Sequence, residues 1–382
     1  MKTAALTFLA LGLIIAGAIW WSHAATLPGP VVAAETELVK TQTCAECHPG
    51  VVEDFATAPH ARTLHRVAGS EWLDRFAGRS VELEGRRFRF ESIGDELWFA
   101  ADDVPFAIEV DWIFGSGQHA LTPVSIDPDL DGRPNLTQLH VSWFRDGSIG
   151  RTPGSDRIAD GPPTLGLHHD AAETERCFGC HASWLPQPEG RMELEHAVIN
   201  LDCSRCHPGA ARHAASDGEL ALGVDWDQLS PLESINRCGE CHRRVDEFTP
   251  DELTPAHTHL VRFAPVGLAL SPCFKVANDP EQGEGFPRFD CLSCHDPHLP
   301  TRTAPEYFNA QCRQCHGDVS PAAILDRVAS DSAAAHARPL ASQRAAPCSA
   351  EPLDSSCIEC HMPKSQIVPG LSFTDHWIRV RE

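Results

Sequence analysis

Apolar positions follow three different patterns along the 382-residue chain. The first is an unbroken run. Ala4 to Trp21 carries no charge, follows Lys2, and gives way to small residues at Ser22-His23-Ala24 and then to a polar stretch. Such a run predicts an export signal over 1–24. It is long for the apolar part of a signal peptide and short for a comfortable membrane span, so an uncleaved anchor is the alternative.

The second pattern is short-period alternation. Ser80–Glu84, Arg87–Glu91, Glu96–Ala100, Ala107–Ile113 and Leu139–Phe144 are brief runs rich in aromatic and branched residues, separated by Gly and Asp clusters. They predict a small antiparallel β insertion. Asp131-Gly132 and Asp146-Gly147 read as turns. The stretch before them, to about His65, reads as helical. The third pattern begins at Cys177, beyond which Pro and Gly interrupt every longer periodicity. That region reads as loops and short helices, with Glu193–Asn200 and Ala322–Ala329 as helix candidates.

Composition sharpens this picture. Hydrophobic content is an ordinary 42 %, yet aromatics reach only 7 %, while 30 prolines and 27 glycines mark much of the chain as irregular. A segment of that kind needs something besides side chains to fill its interior. The formal charge is −22, and no run of five basic residues occurs. Nucleic-acid binding is thereby disfavoured, and an acidic surface suits basic partners.

Fourteen of the sixteen cysteines fall in one word, Cys-x-x-Cys-His. Its copies are Cys44-x-x-Cys47-His48, Cys177-x-x-Cys180-His181, Cys203-x-x-Cys206-His207, Cys238-x-x-Cys241-His242, Cys291-x-x-Cys294-His295, Cys312-x-x-Cys315-His316 and Cys357-x-x-Cys360-His361. In this word two thiols add to the vinyl groups of haem and the histidine binds the iron. Zinc would pair the words two by two, and seven is odd. Neither zinc nor disulfides would require a histidine at the same place in every copy. The expectation is seven covalent haems c, each with its iron. On that reading 1–24 is a signal or anchor, 25–71 the segment of haem one, 72–160 the β insertion, and 161–382 the region of haems two to seven. The predicted class is a mainly α and irregular multihaem cytochrome c fold, with the small β insertion between haems one and two.

Each iron has a sixth position. The three methionines are Met1, Met192 and Met362, and Met362 directly follows His361, so thioether ligation is scarce. Thirteen histidines remain outside the words and the leader: His60, His65, His119, His140, His168, His169, His196, His213, His257, His259, His298, His336 and His376. His298 stands three residues past His295, cannot bind the same iron, and can serve an adjacent haem. His60 follows the first word and His213 the third. His257 and His259 trail the fourth, and one of the two suffices. His376 lies beside Trp377. Two histidines on one iron give a low potential and leave no open position for a substrate.

The phrases Cys291-Leu-Ser-Cys-His-Asp-Pro-His298, Cys357-Ile-Glu-Cys-His-Met-Pro-Lys364, His257-Thr-His-Leu-Val-Arg-Phe263 and Phe114-Gly-Ser-Gly-Gln-His119 carry a resemblance. The chain resembles, over most of 40–380, the superfamily of tetrahaem cytochromes of nitrifiers, pentahaem nitrite reductases and octahaem hydroxylamine oxidoreductases. The resemblance implies stacked and perpendicular haem pairs. It also implies His60, His119, His213, His257 or His259, His298, His336 and His376 as distal ligands, which matches the number of haems. The chain departs from the enzymes of that group. It has no Cys-x-x-Cys-Lys word, and its single tyrosine, Tyr307, lies five residues before Cys312 instead of well beyond the words.

Two smaller signals remain. Cys273 and Cys348 are spare, and a disulfide in an oxidising compartment or two buried free thiols are the alternatives. Asp127-x-Asp129-x-Asp131-Gly132 echoes a calcium loop, but Gln138 stands at the twelfth position, and a polar hairpin turn explains it better. The function expected is a periplasmic or otherwise extracytoplasmic electron-transfer protein working between redox partner proteins, with membrane association through the N-terminal segment as the alternative to a cleaved signal. An oxidoreductase acting on a small nitrogen or sulfur compound at one open haem is the rival.

Overall fold

A computed structural model describes residues 38–155, 164–280, 288–316 and 356–381. The apolar run over 1–24, the helix expected at Ala322–Ala329, His336 and Cys348 lie outside the described residues. Among the described residues no helix is long and apolar enough to cross a membrane.

After helices Thr41–Ala45 and Pro49–Thr57 the chain turns to strands. These are β1 (Leu64–Arg66), β2 (Ser80–Leu83), β3 (Arg86–Ile93), β4 (Glu96–Ala101), β5 (Ala107–Glu109), β6 (Trp112–Phe114), β7 (Ala120–Pro128), β8 (Pro134–Leu139), β9 (Val141–Phe144), β10 (Ile149–Arg151) and β11 (Gly166–His169). One sheet runs β2-β3-β4-β5. The other runs β1-β6-β7-β8-β11, with β9 pairing β7 and β10 pairing β9. All pairings are antiparallel.

The period of two decides what each face of the larger sheet meets. Ile113, Leu121 and Leu139 join Phe76, Phe88, Phe90, Leu97 and Phe99 in a core against the smaller sheet. Trp112, next to Ile113, points the other way with Leu64, Val124 and Leu136 and packs on Phe178. Phe178 is the first of the two middle residues of the second Cys-x-x-Cys-His word, so the sheet directly supports that word. Each fully buried phenylalanine here contributes about 1.5–3 kcal/mol relative to exposure.

The mainly α class is therefore corrected to a mixed α and antiparallel β fold. Strands extend from Leu64 to His169, and they hold the largest buried apolar cluster. Strands β7 and β8 escaped the periodicity reading because Pro123, Pro128, Pro134 and Asn135 resemble loop chemistry. In the fold Ile113 pairs with Pro123, and Pro128 pairs with Pro134. Burial of the intervening Leu121, Val124 and Leu136 outweighs the local preference. Both predicted turns form. Gly132 and Gly147 adopt positive φ of 75° and 85°, a region open to glycine. Asp129 accepts from the backbone N–H groups of Asp131 and Arg133, so this acidic stretch is a polar hairpin turn.

Two helix expectations also change. The stretch up to His65 is helical only to Thr57, followed by a tight turn at Pro59–Arg62 and then β1. Glu193–Asn200 forms a short 3-10 turn, Leu194–His196, and a strand, Val198–Ile199, paired with Ala182–Trp184. Ile199 packs with Phe178 and Ala182, and a tertiary contact of this kind overrides weak helical periodicity.

From Ala171 on, helices dominate: Ala171–His181, Cys203–Cys206, Ala210–Ala215, Pro231–His242, Ala264–Leu270, Pro272–Ala277, Pro305–His316 and Cys357–His361. The hairpin Lys364–Val368 and Leu371–Thr374 docks on Phe144 of β9 through Val368 and Leu371.

Candidate histidine and cysteine centres

Each word occupies about one helical turn. In the first, third and fifth words the histidine N–H donates to the carbonyl of the first cysteine, at 2.8, 2.8 and 2.9 Å. Residues three and four apart lie on one face of a helix, so the turn presents both thiols and the imidazole together. The second, fourth and sixth words end the helices Ala171–His181, Pro231–His242 and Pro305–His316. The helix that carries the fourth word, Pro231–His242, starts on a capping box of Ser230 and Glu233. The third and fifth words begin on an aspartate cap. Asp202 accepts from the Ser204 N–H and Asp290 from the Leu292 N–H. Such caps satisfy backbone donors that a one-turn helix would otherwise leave open.

The fold then pairs histidines of the words with histidines outside them. His48 faces His213 with ring centres 6.5 Å apart, and His207 faces His298 at 6.0 Å. His242 faces His60 at 6.2 Å, and His295 faces His376 at 6.2 Å. An imidazole nitrogen binds a metal at about 2 Å, and the ring centre lies about 1 Å further back, so two imidazoles on opposite sides of one metal have centres about 6 Å apart. All four pairs have that spacing.

Ring hydrogen bonds separate the histidines into two groups. The Nδ1–H of His60 donates to the Pro297 carbonyl, that of His213 to Leu220, and that of His376 to Thr374. His298 donates from Nδ1 to the Asp296 carboxylate, and His181, His257 and His361 donate to the carbonyls of Thr63, Glu252 and Arg379. This fixes the tautomer and leaves Nε2 with its lone pair, the arrangement of metal-binding histidines. His65, His140 and His169 have Nε2 engaged instead, by the Gly115 carbonyl, Thr164 Oγ1 and Gln138 Oε1. Burial lowers the pKa of His60, His207 and His376, and lowers His242 and His295 to about 4. All five are neutral near pH 7, the form that ligates a metal.

The other expected ligands are placed less closely. His119 stacks on Phe373 at 4.7 Å. His257 lies beside Phe248, with His259 6.4 Å away at 60°. None of these three faces a histidine of a word at the 6 Å spacing. His181 has the ring of Phe114 at 4.8 Å, edge-on. His316 borders residues outside the described set, where His336 also lies. A Cys273–Cys348 bridge involves a residue outside that set as well. Tyr307 packs on Phe308 and under the Arg302 guanidinium.

The thiols show which words are neighbours. Cys44 lies within hydrogen-bonding reach of Cys203, Cys180 of Cys241, Cys238 of Cys291 and Cys312 of Cys357. Cys206 lies in electrostatic range of Cys238 and Cys241, and Cys294 in range of Cys312. The words thus follow one another in space as first, third, fourth, fifth, sixth and seventh, with the second joining where the third and fourth meet. Burial pushes the Cys206 thiol up to about 11 and the Cys294 thiol up to about 12.

The residues present fit haem c. Two thiols and an imidazole share each turn, and in four cases a second imidazole stands across a gap of the right size with Nε2 free. Sequence reading missed the residues that hold the second imidazoles. Gly267 and Ser271 anchor the His376 segment, and the Asp296 carboxylate orients His298. Asp296, two residues before a candidate ligand in Cys-His-Asp-Pro-His, was a signal that could have been used.

The cytochrome c554 and c-prime family matches residues 161–208, which contain the second and third words. The match covers well under half of the chain. The crystal structure of the outer cell wall cytochrome OcwA aligns over 90 % of this chain and 80 % of that one, with 14 % identity and a TM-score of 0.43. No curated protein matches the chain.

Proposed function

We propose that the chain is an exported cytochrome that holds seven covalent haems c and passes electrons between redox partner proteins through mostly bis-histidine centres. The observation that carries this reading is the set of four facing pairs, each joining a histidine of a word to one outside the words. Chance packing of surface histidines would not select one member from each group, with Nε2 free and the spacing near 6 Å. The cytochrome c554 match over the second and third words supports the same reading.

When bound, haem iron supplies one-electron exchange between its ferric and ferrous forms, with the potential set by ligands, charge and burial. The chain's own residues do the rest. Fourteen thiols supply the covalent tethers, and His48, His181, His207, His242, His295, His316 and His361 supply the first ligand of each site. His213, His60, His298 and His376 supply the second ligand in four of them. Carbonyl and carboxylate acceptors at Nδ1 hold those imidazoles in orientation. The spatial order of the words gives a line from the first to the seventh, with the second word as a side branch where the third and fourth meet. Export over the 1–24 segment places haem attachment outside the cytoplasm.

Expression in a host that matures c-type cytochromes tests this. Acid-acetone should leave the colour on the polypeptide, and the haem-to-protein ratio should be seven. Mostly low-spin spectra, with little response of the reduced protein to carbon monoxide, should follow. A colourless polypeptide, or haem that extracts freely, would overturn the reading.

A further inference from the structure

Arg205 is one of the two variable residues of the third word, and its side chain is only 6 % exposed. Nη2 is directed at the carbonyl of Gly179, in the second word, at 3.5 Å, and at the sulfur of Cys241, in the fourth, at 3.8 Å. Nη1 lies 3.5 Å from Oε2 of Glu240, also in the fourth word. Arg237, one turn earlier on the same helix, approaches the other carboxylate oxygen of Glu240 at 3.8 Å. The Cys180 thiol points at the Glu240 carbonyl at 3.9 Å. One guanidinium therefore touches two words from within a third, at the place where the second, third and fourth words meet.

Placing a guanidinium in so buried a position carries a desolvation penalty, and a buried ion pair is weak evidence for stability. A planar fork can reach a carbonyl, a sulfur and a carboxylate in different directions, which a lysine ammonium cannot. The charge also stands against Cys241 Sγ, one of the atoms that would tether haem. A fixed positive charge favours the reduced member of a nearby redox couple, and a fixed negative charge favours the oxidised member. At about 10 Å and an effective dielectric constant of about 20, a unit charge changes a one-electron equilibrium roughly tenfold.

Resting on the haem reading above, we propose that Arg205 and Glu240 form a buried charge pair that sets the reduction potential at the three-word junction, Arg205 raising it and Glu240 lowering it. The two side chains position and tune the site; neither binds iron. In this arrangement the junction is the point at which the side branch and the main line are held at a defined relative potential.

Opposite signs are the signature. Spectroelectrochemical titration of the haem-loaded protein should show at least one component of Arg205→Gln moving to a lower potential. The expected size is about a tenfold change in the reduced-to-oxidised ratio, which is 59 mV for one electron. Glu240→Gln should move a component upward. The double variant should lie between the two, and Arg205→Lys should keep most of the wild-type value. A role limited to clamping the words would give shifts of one sign or none, and that result overturns the proposal. Haem content and the low-spin spectrum are measured on every variant. If Arg205→Gln fails to load its haems, the sign of the Glu240→Gln shift decides alone. Wild-type protein without covalent haem would instead refute the underlying reading.

Discussion

His207 and His298 face each other almost in parallel, 7° between ring planes and 6.0 Å between centres, although they belong to different parts of the chain. His298 stands three residues after His295, yet it faces the third word and not its own. His295 is faced by His376 from the C-terminal segment. The four facing pairs are thus all exchanges between distant segments.

On the proposed haem reading, His298→Ala should convert the site of His207 from six ligands to five. About one haem in seven should become high-spin and responsive to carbon monoxide, with total haem unchanged. Electron paramagnetic and visible spectra check this. An unchanged low-spin spectrum would mean that His298 is not a ligand.

His140 should behave differently, because Thr164 engages its Nε2. His140→Gln should leave the haem spectra as they are. Burial lowers the pKa of His140 from 6.5 to about 4, so the folded state binds fewer protons than the unfolded chain between those values. Its contribution is complete above pH 6.5 and is lost as the pH falls towards 4, by up to about 3 kcal/mol. Urea unfolding from pH 7 to pH 4 should show a shallower loss for the variant.

Gly267 lies in the buried helix Ala264–Leu270, and a Cβ there would meet the Trp377 nitrogen at 2.7 Å and the His376 carbonyl carbon at 2.9 Å. Those are backbone atoms and can yield only by moving the His376 segment. Ser271 ties the same segment, since the Ile378 N–H donates to its hydroxyl at 2.8 Å. Gly267→Ala should therefore loosen His376 from the site of His295. The expected result is a high-spin fraction of at most about one haem in seven, without contact between the new methyl group and haem. Gly50, which has open space around it, serves as the control.

Phe99→Ala should cost about 3–5 kcal/mol, through loss of a ring buried against Phe88 and Phe90. Thermal unfolding followed by circular dichroism measures it. The variant removes no thiol and no imidazole, so haem attachment should persist below the unfolding transition.

The words were legible because their chemistry is local. Two thiols and an imidazole must share one turn, and sequence spacing determines what one turn can hold. The strands at 80–101 were legible for a similar reason, since alternation survives wherever one face is buried. Strands β7 and β8 were not, because their prolines and asparagine match loop chemistry and only pairing partners from elsewhere make them strands. The facing histidines outside the words lie between these cases. Histidine is common outside the words, and a candidate list followed from counting. Which histidine faces which word depends on chain segments meeting across the interior, and no spacing rule reaches that far. Arg205 shows the same limit. In the sequence it is a variable position, and only the packing of three words around it makes it a buried charge. The sequence by itself determined the number and composition of the Cys-x-x-Cys-His words. The tertiary structure decided their partners and their order in space, because facing pairs and buried charges are set by long-range packing.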